Sequence, residues 1–249
     1  MAITSEDVKK LREMTSAGML DCKKALDETQ GDFEKAKDIL RKKGLAAVAK
    51  RADRAASQGV IAAQSEADGR SGALVDLRCE TDFVARTDEF VRAAQELAGK
   101  VVSGQADAKA IETIVADLAA KCGEKVELGR QERLEIAAGQ PGVIASYIHH
   151  GSKVGVMVEV HAAKPTASPD LARLGRTLAM QIAVSKPRHL KREEVPAADV
   201  EREKAIFAEQ AKASGKPANV IEKMITGKLE KFYGEICLLE QEFLISPES

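Results

Sequence analysis

Histidine is the first residue to ask about chemistry, and its placement here builds none. The four histidines are His149, His150, His161 and His189. The adjacent pair would point to opposite faces of a strand, and no H-x-x-x-H spacing exists, so a loop or surface role is read in place of a metal site. The four cysteines, Cys22, Cys79, Cys122 and Cys237, form no C-x-x-C pair and fit no zinc spacing. They read as small buried apolar residues in a reducing compartment. Neither phosphate-cradling glycine loop is present, nor a G-x-S-x-G elbow, and the scattered acids single out no catalytic pair. No cofactor, metal or covalent chemistry is expected. Apart from these motifs, Thr81-Asp82-Phe83-Val84 places a large apolar side chain in a polar setting. It sets a rigid apolar ring beside an acceptor carboxylate, after a strand and before a helix, where chain can protrude. The alternatives are an ordinary core aromatic for Phe83 and a turn acceptor for Asp82.

The elements that must position this segment follow from periodicity. In the first 44 residues, Val8 and Leu11 share one helical face behind a Thr4/Asp7 capping pair. Met19, Cys22, Ala25 and Leu26 make a second face, and Phe33, Ala36, Ile39 and Leu40 make a third after a restart at Gly31-Asp32. Gly44 suits a C-cap. Arg41 to Arg54 holds six basic residues against one acid and reads as a solvated linker, or as a docking surface for an acidic partner. The period then changes. Residues 59–63 and 73–79 read as strands around a turn at Asp68-Gly69, with Val75, Leu77 and Cys79 alternating against Asp76, Arg78 and Glu80. Two helices follow, carrying Phe90, Ala94, Leu97, Ala98 and Val101, then Ile111, Ile114, Val115 and Leu118. A strand over 126–136 closes an α+β unit.

A second, similar unit begins near Gln140-Pro141-Gly142, with strands at 143–148 and 154–160 around His149-His150-Gly151-Ser152. A helix over 169–184 carries Leu171, Leu174, Leu178 and Ile182 and ends at Lys186-Pro187. The order strand-strand-helix in both halves hints at a duplication. Helices over 197–213 and 217–233 flank Ser214-Gly215-Lys216 and pair through a thin seam of Ile221, Ile225, Lys228 and Phe232 against Val200, Phe207 and Ala211. Alternation of Ile236, Leu238, Phe243 and Ile245 predicts a terminal strand over 235–245, paired beside the strands near Val143 to Val160. The expected organisation is a helical module with its basic linker at 1–54, a core subdomain at 55–140, a second at 141–190 plus 234–249, and a helical hairpin at 191–233. The fold class is α+β.

Composition narrows the function classes. A net charge of -1 over 249 residues gives no field to gather nucleic acid or anionic lipid. Aromatics are 3% with no Trp, too few for base-stacking platforms. The start, MAITSEDVKKL, is acidic and amphipathic, unlike a secretory signal, and no apolar run of about 18 residues occurs. A cytoplasmic protein without direct nucleic-acid or membrane contacts is expected.

Two stretches carry a resemblance. Leu11 to Leu26 (LREMTSAGMLDCKKAL) and Cys79 to Arg86 (CETDFVAR) resemble the two signature stretches of the elongation factor Ts family. Gly31-Asp32, His150-Gly151 before Val154-Gly155-Val156, the run Ala179 to Pro187 and Ser214 to Pro217 also match, in order. Members usually show Thr-Gly-Ala-Gly where this sequence has Thr15-Ser16-Ala17-Gly18. Longer members continue past the position of Phe243 with another strand and helix, whereas this sequence ends at Ser249.

The resemblance implies a ubiquitin-associated-like N-terminal module docking on the GTPase domain of elongation factor Tu, a two-subdomain core and a protruding coiled coil. It implies docking through Met19, Leu20, Asp21, His149, His150 and Gly151. Thr81, Asp82, Phe83 and Val84 would form the loop that dislocates the partner's magnesium ion and promotes GDP release, so that GTP can rebind. The hairpin is also a candidate homodimer contact. Three other readings stay open: an adaptor without exchange activity, an enzyme of undefined chemistry, and a protein borrowed by a nucleic-acid complex.

Overall fold

The structure, a computed structural model, describes residues 3–15, 17–163, 169–212 and 217–244. It is an α+β fold that divides into two compact units, Met1–Ala167 and Ser168–Ser249. The sequence-based grouping of 141–190 with the C-terminal residues cuts across that division. Ser16, the 214–216 turn and Ile245 lie outside the described residues.

The first unit opens with three helices, α1 (Ser5–Thr15), α2 (Met19–Glu28) and α3 (Phe33–Ala49). Thr4 and Asp7 cap the first reciprocally, each backbone N–H reaching the other's side-chain oxygen at 3.0 and 3.2 Å. Asp32 caps the third, accepting from the Lys35 N–H at 3.1 Å. Val8, Leu11, Cys22, Ala25, Leu26, Ala36 and Leu40 form this module's core.

Gly44 does not end α3, which continues to Ala49. A Cβ at residue 44 would lie 2.9 Å from the Cβ of Ala120, so glycine is there for close approach to another helix. Val48, one turn on, packs against the sheet core. Three of the six basic residues in this stretch make surface ion pairs. Lys43 pairs with Asp21 at 2.5 Å, Arg41 with Asp117 at 3.8 Å and Arg54 with Glu80 at 3.3 Å.

Beyond it lie β1 (Gln58–Ser65), β2 (Ser71–Cys79), α4 (Asp82–Ala85), α5 (Asp88–Val102), α6 (Ala108–Cys122) and β3 (Val126–Glu135). The strands form an antiparallel sheet ordered β1-β2-β3. On β2, Val75, Leu77 and Cys79 face inward, and Phe90, Ala94, Leu97, Ala98 and Val101 of α5 cover them. Strands β4 (Gly142–Ile148) and β5 (Gly155–His161) pair antiparallel in a two-stranded sheet and complete this unit.

The second unit holds α7 (Pro169–Ser185), α8 (Ala197–Lys212) and α9 (Ala218–Ile236). Helix α7 buries Gly175, Ala179 and Gln181 rather than a leucine stripe, and Leu174 is exposed. Helices α8 and α9 pack against each other, with the Lys228 ammonium 5.5 Å from the Phe207 ring centre. The terminal strand is not formed in the described residues. Helix α9 runs on to Ile236, and Leu238–Glu240 is a 3-10 turn. Cys237 makes one isolated parallel bridge to His189, while Leu238 N–H and Leu239 N–H donate to His189 and Leu190 carbonyls at 2.9 and 3.0 Å. The alternation that suggested a strand is broken because helical bonding claims Glu235 and Ile236.

Candidate functional site

Helix α4 is one turn long, too short to hold itself together, and its neighbours fix it. Thr81 is its N-cap, accepting from the Val84 N–H at 3.3 Å. The Thr81 hydroxyl donates to Glu124 Oε1 at 2.6 Å, and the Glu80 and Thr81 N–H groups donate to Glu124 Oε2 at 3.1 and 2.9 Å. In return, the Lys125 N–H donates to Glu80 Oε1 at 2.7 Å. That bond first, and the Arg54 guanidinium after it, hold the Glu80 carboxyl below its ordinary pKa of 4.5. At the far end, the Thr87 hydroxyl donates to the Val84 carbonyl at 2.9 Å and caps α5.

The result is a turn with two faces. Ala85 is buried and Val84 packs against the core, whereas Phe83 is 80% exposed. Phe83 is thus no core aromatic. Asp82 pairs with Arg86 at 2.9 Å. Under the turn, burial pushes the Cys79 thiol up to about 11, which keeps it protonated and unreactive near neutral pH.

Phe83 stands on the rim of an open groove of about 830 Å³ whose lining includes Glu80, Thr81, Asp82, Arg86, His150 and Gly151. Segments about seventy residues apart in the chain therefore meet. The 149–152 turn is held by the His149 N–H to the Val154 carbonyl and the Ser152 N–H to the His149 carbonyl, both at 2.9 Å. Gly151 has φ +85°, which favours glycine there. The Ser152 carbonyl accepts from the Ile61 N–H at 2.8 Å, and Lys153 Nζ donates to Gln58 Oε1 and the Gly59 carbonyl at 3.0 and 2.9 Å. These bonds fasten the turn to β1. His149 shares a hydrogen bond of 3.0 Å with the Tyr147 hydroxyl and does not line the groove.

Met19, Leu20 and Asp21 are not brought to the groove. They form the first turn of α2, where Met19 and Leu20 are exposed, Leu20 at 75%, and Asp21 is paired with Lys43. Sequence reasoning passed over Glu124, Lys153 and Arg86. The signal for Glu124 was local: an acid directly after Gly123, whose φ of +74° ends α6 in a left-handed cap, and two residues before β3 begins at Val126.

Among the described residues, no helix is long and apolar enough to cross a membrane. What the groove offers is contact chemistry: an exposed ring, a carboxylate and imidazole on a braced frame. Comparison with known proteins places the chain among the translation elongation factors. The family model described as "Elongation factor TS" matches residues 80–249. An elongation factor Ts from Prosthecochloris aestuarii is 45% identical, with 97% of this chain and 87% of the relative covered. Those from Aquifex aeolicus and Methylococcus capsulatus are 41% and 43% identical, covering 98% and 100% of this chain and 89% and 85% of the relatives. The chain belongs to the elongation factor Ts family.

Proposed function

We propose that this protein is a guanine-nucleotide exchange factor for elongation factor Tu, acting in the cytoplasm and without covalent chemistry. The observation that carries the reading is Phe83, an apolar ring 80% exposed on a turn fixed at both ends. An unsupported loop would lose freedom on binding, but a pre-braced ring enters a partner at low ordering cost. Phosphate contacts and magnesium hold GDP in such a GTPase. A wedge formed by Phe83 with Thr81, Asp82 and Val84, displacing structure near the magnesium, weakens that hold. Linkage makes the effect reciprocal: preference for the nucleotide-free form lowers nucleotide affinity by the same factor. His150 and Gly151 on the same groove, His149 beside them, and Met19, Leu20 and Asp21 on α2 supply the docking contacts.

The test is release of fluorescent GDP from elongation factor Tu with and without the full chain. Substoichiometric protein should accelerate release and hydrolyse no GTP itself. Release at the intrinsic rate with micromolar protein present sinks the reading.

A further inference from the structure

We infer that Glu124 is a positioning residue for the exchange turn: it fixes the direction of Phe83 from outside the groove, an inference that rests on the exchange reading above. Glu124 is absent from the groove lining. Its carboxylate is nevertheless used three times on the root of α4, by the Glu80 N–H, the Thr81 N–H and the Thr81 hydroxyl.

The hydroxyl bond is the informative one. A threonine hydroxyl has one proton to give and lone pairs to accept with. With the proton committed to Glu124 Oε1 at 2.6 Å, a lone pair remains for the Val84 N–H at 3.3 Å, which is the N-cap of α4. The carboxylate therefore sets the Thr81 rotamer, the rotamer sets the cap, and the cap sets the direction of a one-turn helix with little stability of its own. Phe83 is the second residue of that helix. Glu124 is itself placed by two things: the left-handed Gly123 that ends α6, and the return bond from the Lys125 N–H to Glu80. An alanine at 124 leaves α4 anchored by buried Ala85 and by Thr87, so the turn persists with its N-terminal half loose.

The experiment is nucleotide exchange on elongation factor Tu·GDP with full-length wild type, Glu124→Ala, Glu124→Gln, Phe83→Ala and the Phe83→Ala/Glu124→Ala double variant. For Glu124→Ala, the maximal exchange rate should fall roughly tenfold, because small misplacement of a working group is costly. The KM for elongation factor Tu·GDP should stay within about twofold of wild type, since the residue reaches no docking contact. Glu124→Gln, which keeps an oxygen acceptor, should recover part of the loss. The double variant should be no slower than Phe83→Ala alone, because a group acting through Phe83 has nothing left to position. Hydrogen exchange supplies a readout apart from activity: the Val84 amide should exchange faster in Glu124→Ala while the Leu97 amide stays protected. Full exchange activity in Glu124→Ala, losses that multiply in the double variant, or a loss confined to KM would each overturn the role. If Leu97 also loses protection, Glu124 is a general stability residue and the inference falls. A wild-type protein that fails to accelerate release, or a Phe83→Ala variant as fast as wild type, would instead remove the exchange reading beneath it.

Discussion

Phe90, Leu77 and Leu97 lie fully buried in the first unit, where a helix seals one face of a three-stranded sheet. The second unit has a small apolar cluster of Val195, Ile236 and Cys237, and its most deeply buried groups are smaller or more polar: Ala179, Ala211, Cys237 and Gln181. The Gln181 amide donates to the Glu242 carbonyl at 3.0 Å and accepts from the Leu244 N–H at 2.9 Å, and the Ser185 hydroxyl donates to Gln241 Oε1 at 2.6 Å. Arg192 stacks 4.7 Å from the Tyr233 ring centre and ion-pairs with both Glu230 and Glu240. One unit is held mainly by apolar area, which carries no charge to titrate or to screen. The other leans on directional bonds, which demand geometry and respond to solution conditions.

The largest effect should come from Phe90→Ala. Emptying a fully buried ring costs about 3–5 kcal/mol, and thermal melting should show it together with lost protection of α5 and β2 amides. Next, Gln181→Ala should cost about 1–3 kcal/mol by stranding its partners, read as faster exchange of the Leu244 amide. An equal or larger loss than for Phe90→Ala would reverse the comparison.

Acid should then separate the units. The Arg192 guanidinium, by direct hydrogen bonding, holds the Glu240 carboxyl below its ordinary 4.5. Because the folded value is depressed, the stability it contributes is present above the unfolded pKa and is lost as pH falls below about 4.5. Arg192→Ala should flatten that acid loss in the second unit and weaken its salt dependence. Glu80 has the same sign in the first unit, but the apolar core there should keep α5 protected at pH values where α9 begins to exchange. The smallest stability effect belongs to Phe83→Ala, within about 0.5 kcal/mol for an exposed side chain. Catalysed GDP release should meanwhile slow roughly tenfold or more, since interface aromatics commonly carry about 1–4 kcal/mol. A melt as damaged as that of Phe90→Ala would place both rings in the core.

This contrast also explains what the sequence made legible. Period-2 alternation in β2 and the Phe90–Val101 face on α5 were readable because apolar burial writes itself into residue type. On α7 the same logic pointed to leucines, yet the buried line passes through Gly175, Ala179 and Gln181. Small residues and a hydrogen-bonded amide carry no periodic apolar mark. The terminal strand failed similarly: Ile236 and Leu238 alternate in type, but α9 continues through the first and a 3-10 turn takes the second. At the groove, the Thr81–Val84 segment was singled out by the family resemblance, since its residue types alone also allowed a core aromatic and a turn acceptor. Its supports were not legible, because the bonds from Glu124 and Lys153 span 43 and 94 positions respectively. Gly44 looked like a stop because glycine ends many helices, and only the approach to Ala120 shows the other use.

That approach gives α3 the character of a ruler. Seventeen residues of helix measure roughly 25 Å at 1.5 Å per residue, and the rod is glued near its far end to α6 and the sheet core. Leu20 and Phe83, on the same compact unit, are then separated by a set span instead of a wandering tether. A partner that grips both binds a chelating pair: once one patch is seated, the other is already at high effective concentration. Lengthening α3 by two residues, half a turn, would leave each patch intact and spoil their joint engagement.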